Sequence, residues 1–171
     1  MTDKDTKFYS SKQEKLVAKE LGGYSIGGSG AMPGVPGDVK TEDWLVECKT
    51  HTQSDQNIFF DLNVWTKIKN EAMGMHKKPV LIVDDGSQTV EKTWCLCRAN
   101  NLNLGSVISL DLPMAVRKNI TCRHDKLEKA LKDGTKRYIG AFYNGGVFEA
   151  NWAGENVIIT SLATFKELFN K

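Results

Sequence analysis

A chain of 171 residues, 40% of them apolar, can bury one substantial core, and a net charge of only +2 excludes a disordered polyelectrolyte. The polar start, Met1-Thr2-Asp3-Lys4-Asp5-Thr6-Lys7, lacks the apolar stretch of a signal peptide, and no apolar run reaches membrane-spanning length, so a cytoplasmic protein is expected. Cys48, Cys95, Cys97 and Cys122 show no Cys-x-x-Cys pairing and read as reduced, buried thiols, not as zinc ligands.

In chain order, Ser11-Lys12-Gln13-Glu14 has the form of a capping box and predicts a helix over 11–21, closed by Gly22-Gly23. Glu14, Val17, Ala18 and Leu21 fall on one face of that helix. Glu14 is therefore either the capping glutamate or a carboxylate on an apolar face, which needs a partner. Residues 24–37 are dense in glycine and proline, as in a flexible loop or a segment shaped around a ligand.

That loop runs into Pro36-Gly37-Asp38-Val39 and then Trp44-Leu45-Val46-Glu47-Cys48-Lys49. Strand alternation sets Glu47 and Lys49 on one face, with Val46 and Cys48 on the other. A turn over 40–43 returns the chain as a hairpin and brings Asp38 near Glu47. Two carboxylates beside a lysine suit a divalent cation and a phosphate, whereas an ordinary cross-strand ion pair is the plainer reading. His51 shares the Lys49 face if the strand continues that far, as a phosphate contact, a general acid or neither.

A short strand over 58–60 leads to Asp61, the predicted cap of a helix with an apolar stripe of Trp65, Ile68, Ala72 and Met75. Lys67 and Glu71 lie one turn apart beside the stripe. Residues 79–83 form an apolar run expected to be covered on both faces, and Asp84-Asp85-Gly86 reads as a turn. Further strands are predicted over 94–98 and 107–110, then a helix over 123–132 closed by Gly134. A hairpin of 138–143 and 147–152 around Asn144-Gly145-Gly146 follows, with a strand over 157–160 and a helix after Ser161 bearing Leu162, Phe165, Leu168 and Phe169. Between Arg117 and Arg137, eight Lys/Arg face three acids, so Arg117, Lys118, Arg123, Lys126, Lys129 and Lys132 outline a phosphate-binding surface or a solvated helix face.

The stretches Ser11-Lys12-Gln13-Glu14, Gly28-Ser29-Gly30, Pro36-Gly37-Asp38-Val39, Glu47-Cys48-Lys49-Thr50 and Ile68-Lys69-Asn70-Glu71-Ala72 resemble, in order and separation, the PD-(D/E)XK nuclease superfamily. Within it they resemble the archaeal-type Holliday junction resolvases and their phage-encoded relatives. The likeness runs from about residue 10 to residue 84. One departure is Gly37, which stands before Asp38 where the superfamily name has proline; the proline is Pro36.

The resemblance implies a single α/β nuclease domain over 1–171, with a central mixed β-sheet flanked by helices (a restriction-endonuclease-like core) and a metal site at a sheet edge; 85–171 completes the sheet and is a place for specificity. It implies a Mg²⁺-dependent endonuclease, Mn²⁺ substituting. Asp38, Glu47, the Cys48 carbonyl and Glu14 would serve the metal, and Lys49 would position water and stabilise the transition state. Ser29, Gly30, His51, Lys67 and the basic segment would contact DNA. The implied substrate is a four-way junction cut by a homodimer in the cytoplasm, that of the host if the chain is phage-encoded. A nuclease for duplex, flap or single-stranded DNA is the alternative, and a catalytically silent DNA-binding subunit a third.

Overall fold

The computed structural model describes residues 3–27, 34–52, 55–104, 119–133, 137–138, 141–144 and 147–169, with the backbone alone for 3–5, 130–133, 137–138 and 141–144. The predicted strand over 107–110, Gly134 and the centre of the Asn144-Gly145-Gly146 turn lie outside the described residues.

Helix α1 spans Asp3–Leu21, so it is already two turns long at Ser11 and the predicted capping box does not form there. The predicted apolar face holds: Val17, Ala18 and Leu21 are buried. After β1 (Tyr24–Ser25) come β2 (Val39–Lys40) and β3 (Trp44–Lys49), an antiparallel hairpin whose turn is tied by the Thr41 and Trp44 backbone and by the Thr41 hydroxyl. Strand β4 (Asn57–Asp61) ends on the residue that caps α2 (Leu62–Gly74). The Asp61 carboxylate accepts the Asn63 and Val64 amides, a contact worth about 1 kcal/mol.

Next are β5 (Lys78–Asp84), β6 (Thr93–Arg98), β7 (Asn119–Arg123) and α3 (His124–Asp133). Sequence places Arg123 at the start of a helix, but it closes a strand, because β7 pairs along its whole length with β4 and sets Arg123 opposite Asn57. The chain then forms β8 (Arg137–Tyr138), β9 (Ala141–Asn144), β10 (Val147–Trp152), β11 (Glu155–Ser161) and α4 (Leu162–Leu168). The single strand expected over 138–143 is instead two: β8 and β9 pair antiparallel, with Tyr138 opposite Ala141. Ser161 caps α4 through its hydroxyl, as its position before the apolar run predicts.

The fold is α/β. A mixed, mostly antiparallel sheet in the order β1-β2-β3-β5-β6-β11-β10-β9-β8 is flanked by helices, and β3 with β5 is its parallel pair. The connection from β3 to β5 carries β4 and α2 across one face, where Leu45, Phe60, Trp65, Ile68, Leu81 and Trp94 are buried with Leu127 of α3. On the other face α1 and α4 cover Val46, Cys48, Val80, Ile82, Cys95 and Cys97. All four cysteines are free and buried. Strand β5 is thus covered on both sides, as its uninterrupted apolar run implies. Trp44, Trp65, Trp94 and Trp152 are all fully enclosed, and truncating any one to alanine should cost about 3–5 kcal/mol. Among the described residues, no helix is long and apolar enough to cross a membrane.

Candidate active site

The β2–β3 hairpin brings the first two acids together. Val39 pairs with Val46, and one step further Asp38 stands opposite Glu47. The Asp38 amide donates to the Val46 carbonyl at 2.7 Å, and Asp38 Oδ2 accepts the Cys48 amide at 2.8 Å. Asp38 is therefore fixed at both its backbone and its side chain. Gly37 makes this possible: its φ is +66°, and a Cβ there would stand 2.8 Å from Leu45 Cδ1 and 3.1 Å from the Val46 carbonyl oxygen. A glycine at position 37 is thus required by the backbone.

Glu47 is buried, and Lys49 Nζ lies 2.8 Å from its Oε1. Lys67 reaches the same oxygen from α2 at 3.8 Å and Glu71 of its own helix at 3.7 Å. Glu71 in turn accepts the Gly37 amide at 3.1 Å, tying α2 to the loop before Asp38. Burial works to lower the Lys49 ammonium, but the Glu47 carboxylate and its hydrogen bond outweigh it and leave Lys49 above its ordinary value. Lys49 is therefore a fixed cation at neutral pH and not a base.

Glu14 enters from α1. Its carboxyl is pushed up to about 7, chiefly by burial and then by the charges of Asp38 and Glu47, with Lys49 opposing. A glutamate mid-helix has no capping duty, and the charged neighbours of this half-buried carboxyl are Asp38, Glu47 and Lys49. Beside it, fully enclosed Gln13 donates its amide to the Lys49 carbonyl at 2.8 Å, while its Oε1 has no hydrogen-bond partner among the described residues. Gln13 is a contributor that sequence reasoning passes over; the available signal is an amide on an inward helix face that needs satisfying.

Cys48 enters through its backbone. Its thiol lies with Val46 and Ile82 on the opposite face, driven well above its ordinary value by burial first, so its sulfur offers nothing to a hard cation.

Strand β3 stops at Lys49, so His51 lies beyond it and lines a cleft of about 210 Å³ together with Lys49, Thr50 and Asp84. The Asp84-Asp85-Gly86 segment is the predicted turn, with Asp84 Oδ1 accepting the Gly86 amide at 3.0 Å. Asp84 does more than turn the chain: the same oxygen accepts the Thr50 hydroxyl at 2.5 Å and so joins the carboxyl ends of β3 and β5. The site accordingly sits at the ends of two interior parallel strands, with β2 and β1 outside them, and not on the outermost strand.

The expected DNA contacts are scattered. Ser29, Gly30, Arg117 and Lys118 lie outside the described residues, as does the Lys132 side chain. Arg123 is paired with Asp125 at 2.9 Å, while Lys126 and Lys129 are both exposed on α3. That helix begins at the active end of the sheet: Lys49 registers with Val83, Val83 with Trp94, and the Trp94 indole donates to His124 Nδ1 at 3.0 Å.

Four carboxylates (Glu14, Asp38, Glu47, Glu71) thus share the site with two ammoniums (Lys49, Lys67), a surplus of two negative charges when all are ionised. An all-oxygen donor set with that surplus fits Mg²⁺ or Mn²⁺ in chemistry. In spacing, no group of three or more His, Cys, Asp or Glu among the described residues is arranged to hold a metal ion. No family model, curated protein or solved structure matches the chain.

Proposed function

We propose that this protein is a divalent-metal-dependent DNA endonuclease of the PD-(D/E)XK type. The observation that carries the reading is that Glu14, from a helix on one side of the sheet, shares one electrostatic environment with Asp38, Glu47 and Lys49 of the hairpin. A surface ion pair needs no second and third carboxylate beside it.

A Mg²⁺ or Mn²⁺ ion held by Asp38, Glu47, Glu14 and the Cys48 carbonyl would offset the surplus charge and polarise the phosphodiester. The remaining work falls to the chain. Asp38 is held in orientation by the Cys48 amide, and Glu47 anchors the Lys49 ammonium. Lys49 orients the attacking water and stabilises negative charge as the new O–P bond forms and the bond to the leaving alcohol breaks; such groups commonly supply the largest catalytic term. Glu14 would complete the oxygen donor set or accept a hydrogen bond from the attacking water. Lys67 is placed to meet a phosphate or to hold Glu47.

The substrate we assign is branched DNA, with the four-way junction first, cut by a two-fold homodimer whose symmetry matches the junction's. This rests on the order of residues shared with junction resolvases. Nicking of supercoiled plasmid in Mg²⁺, absent in EDTA and absent for Lys49→Ala, tests the chemistry. Matched junction, flap, duplex and single-strand substrates test the preference.

A further inference from the structure

The cleft beyond Lys49 lies on the same sheet face as Glu47 and Lys49. Glu47 registers with Leu81 and Lys49 with Val83, so the apolar floor of the cleft is one strand away from the buried carboxylate and the ammonium. Adjacent strands are about 4.8 Å apart. Val64 closes one wall from α2, and Phe59, 37% exposed on β4, stands at the rim. At the polar end is Asp84, only 1% exposed, with Oδ1 occupied by Thr50 and Gly86 and Oδ2 without a hydrogen-bond partner among the described residues. The volume of about 210 Å³ is enough for one flat ring system.

An apolar slot with an aromatic rim and an unsatisfied polar end is complementary to a flat heterocycle whose faces are apolar and whose edge carries donors and acceptors. We propose that this cleft is a nucleobase subsite: it takes the single unstacked base next to the phosphate held at Glu47 and Lys49. The inference rests on the nuclease reading and deepens it, since a base inside an intact duplex cannot enter, whereas one at a branch point, flap or bulge is already free of its stack. Phe59 supplies the stacking face, and the carboxyl of Asp84 meets the base edge. Burial raises that carboxyl above its ordinary value, against the hydrogen bonds from Thr50 and Gly86.

The test is a cycle between protein and substrate. Cleavage is measured on a branched DNA carrying a normal nucleotide or an abasic analogue beside the scissile phosphate, with wild type, Phe59→Ala, Phe59→Leu and Phe59→Trp. Aromatic stacking of one base predicts a loss of roughly 10- to 100-fold for Phe59→Ala and for Phe59→Leu on the normal substrate. Phe59→Trp should restore most of it. On the abasic substrate wild type should lose a similar factor, and Phe59→Ala should then cost less than about twofold more. Equal Phe59→Ala losses on both substrates, or failure of Trp to rescue a folded variant, would overturn the subsite while leaving the nuclease reading intact. No metal-dependent cleavage of any DNA by wild type would overturn both.

Discussion

Asp38 Oδ2 accepts the backbone N–H of Cys48 at 2.8 Å, so one carboxylate both fastens the hairpin and stands beside Glu47. The two roles separate on substitution. Asp38→Asn retains an oxygen acceptor but loses the charge, whereas Asp38→Ala leaves the Cys48 amide without this partner. Both should abolish cleavage. Chemical denaturation should show Asp38→Ala less stable by about 1.5–3 kcal/mol and Asp38→Asn by appreciably less. Equal destabilisation would mean that the hydrogen bond does not hold the hairpin.

Gly37 is the second structural condition on Asp38. Its φ is +66° and an added methyl would stand 2.8 Å from Leu45, so Gly37→Ala requires both a left-handed alanine and a displaced leucine. The expected cost is about 2–4 kcal/mol, together with activity lost beyond what the fall in melting temperature explains. An alanine variant that melts and cuts like wild type would contradict this account of the loop.

Glu14 makes stability depend on pH. Its folded value of about 7 lies above its ordinary 4.5, so between these values the folded chain binds more protons than the unfolded one. The contribution is fully present below about 4.5 and is lost as pH rises through 7. Glu14→Gln, a mimic of the protonated form, should flatten the fall in melting temperature between about pH 5 and 8. Parallel curves for the two proteins would show that burial and the neighbouring acids do not raise Glu14.

The Asp38, Glu47 and Lys49 grouping is legible in sequence because every step to it is local: a turn of a few residues and a period of two along one strand. The same locality misplaces the start of α1. Ser11 to Glu14 has the chemistry of a cap, but the chain upstream, through Phe8 and Tyr9, is already helical. Arg123 reads as helical until the long-range pairing of β7 with β4 claims it. Gln13 touching Lys49, and Lys67 reaching Glu47, depend on layers that meet only after folding. Turn chemistry alone accounts for Asp84 in sequence, so its link to Thr50 leaves no separate trace there.

Helix α3 starts at the active end of the sheet and carries Lys126 and Lys129, but Arg123 is already engaged by Asp125. Reversing Lys126, Lys129 and Lys132 together should reduce the slope of log affinity against log salt by about two to three phosphate contacts. Single-turnover cleavage at saturating protein should stay near wild type. An unchanged slope would make this a solvated helix face.

If Lys49, Glu47, Asp38 and Glu14 form one metal-dependent phosphodiesterase site, Lys49 is its most direct probe. Because Lys49→Ala leaves buried Glu47 with only the more distant Lys67, it should also lower stability, by about 1–3 kcal/mol, so rates are compared well below the variant's melting temperature. Supercoiled plasmid incubated with wild type and Mg²⁺ should convert to nicked and linear forms. Lys49→Ala, assayed where it is fully folded, should be slower by about 100-fold or more. Plasmid cut at the wild-type rate by folded Lys49→Ala, or by wild type in EDTA, would contradict the account.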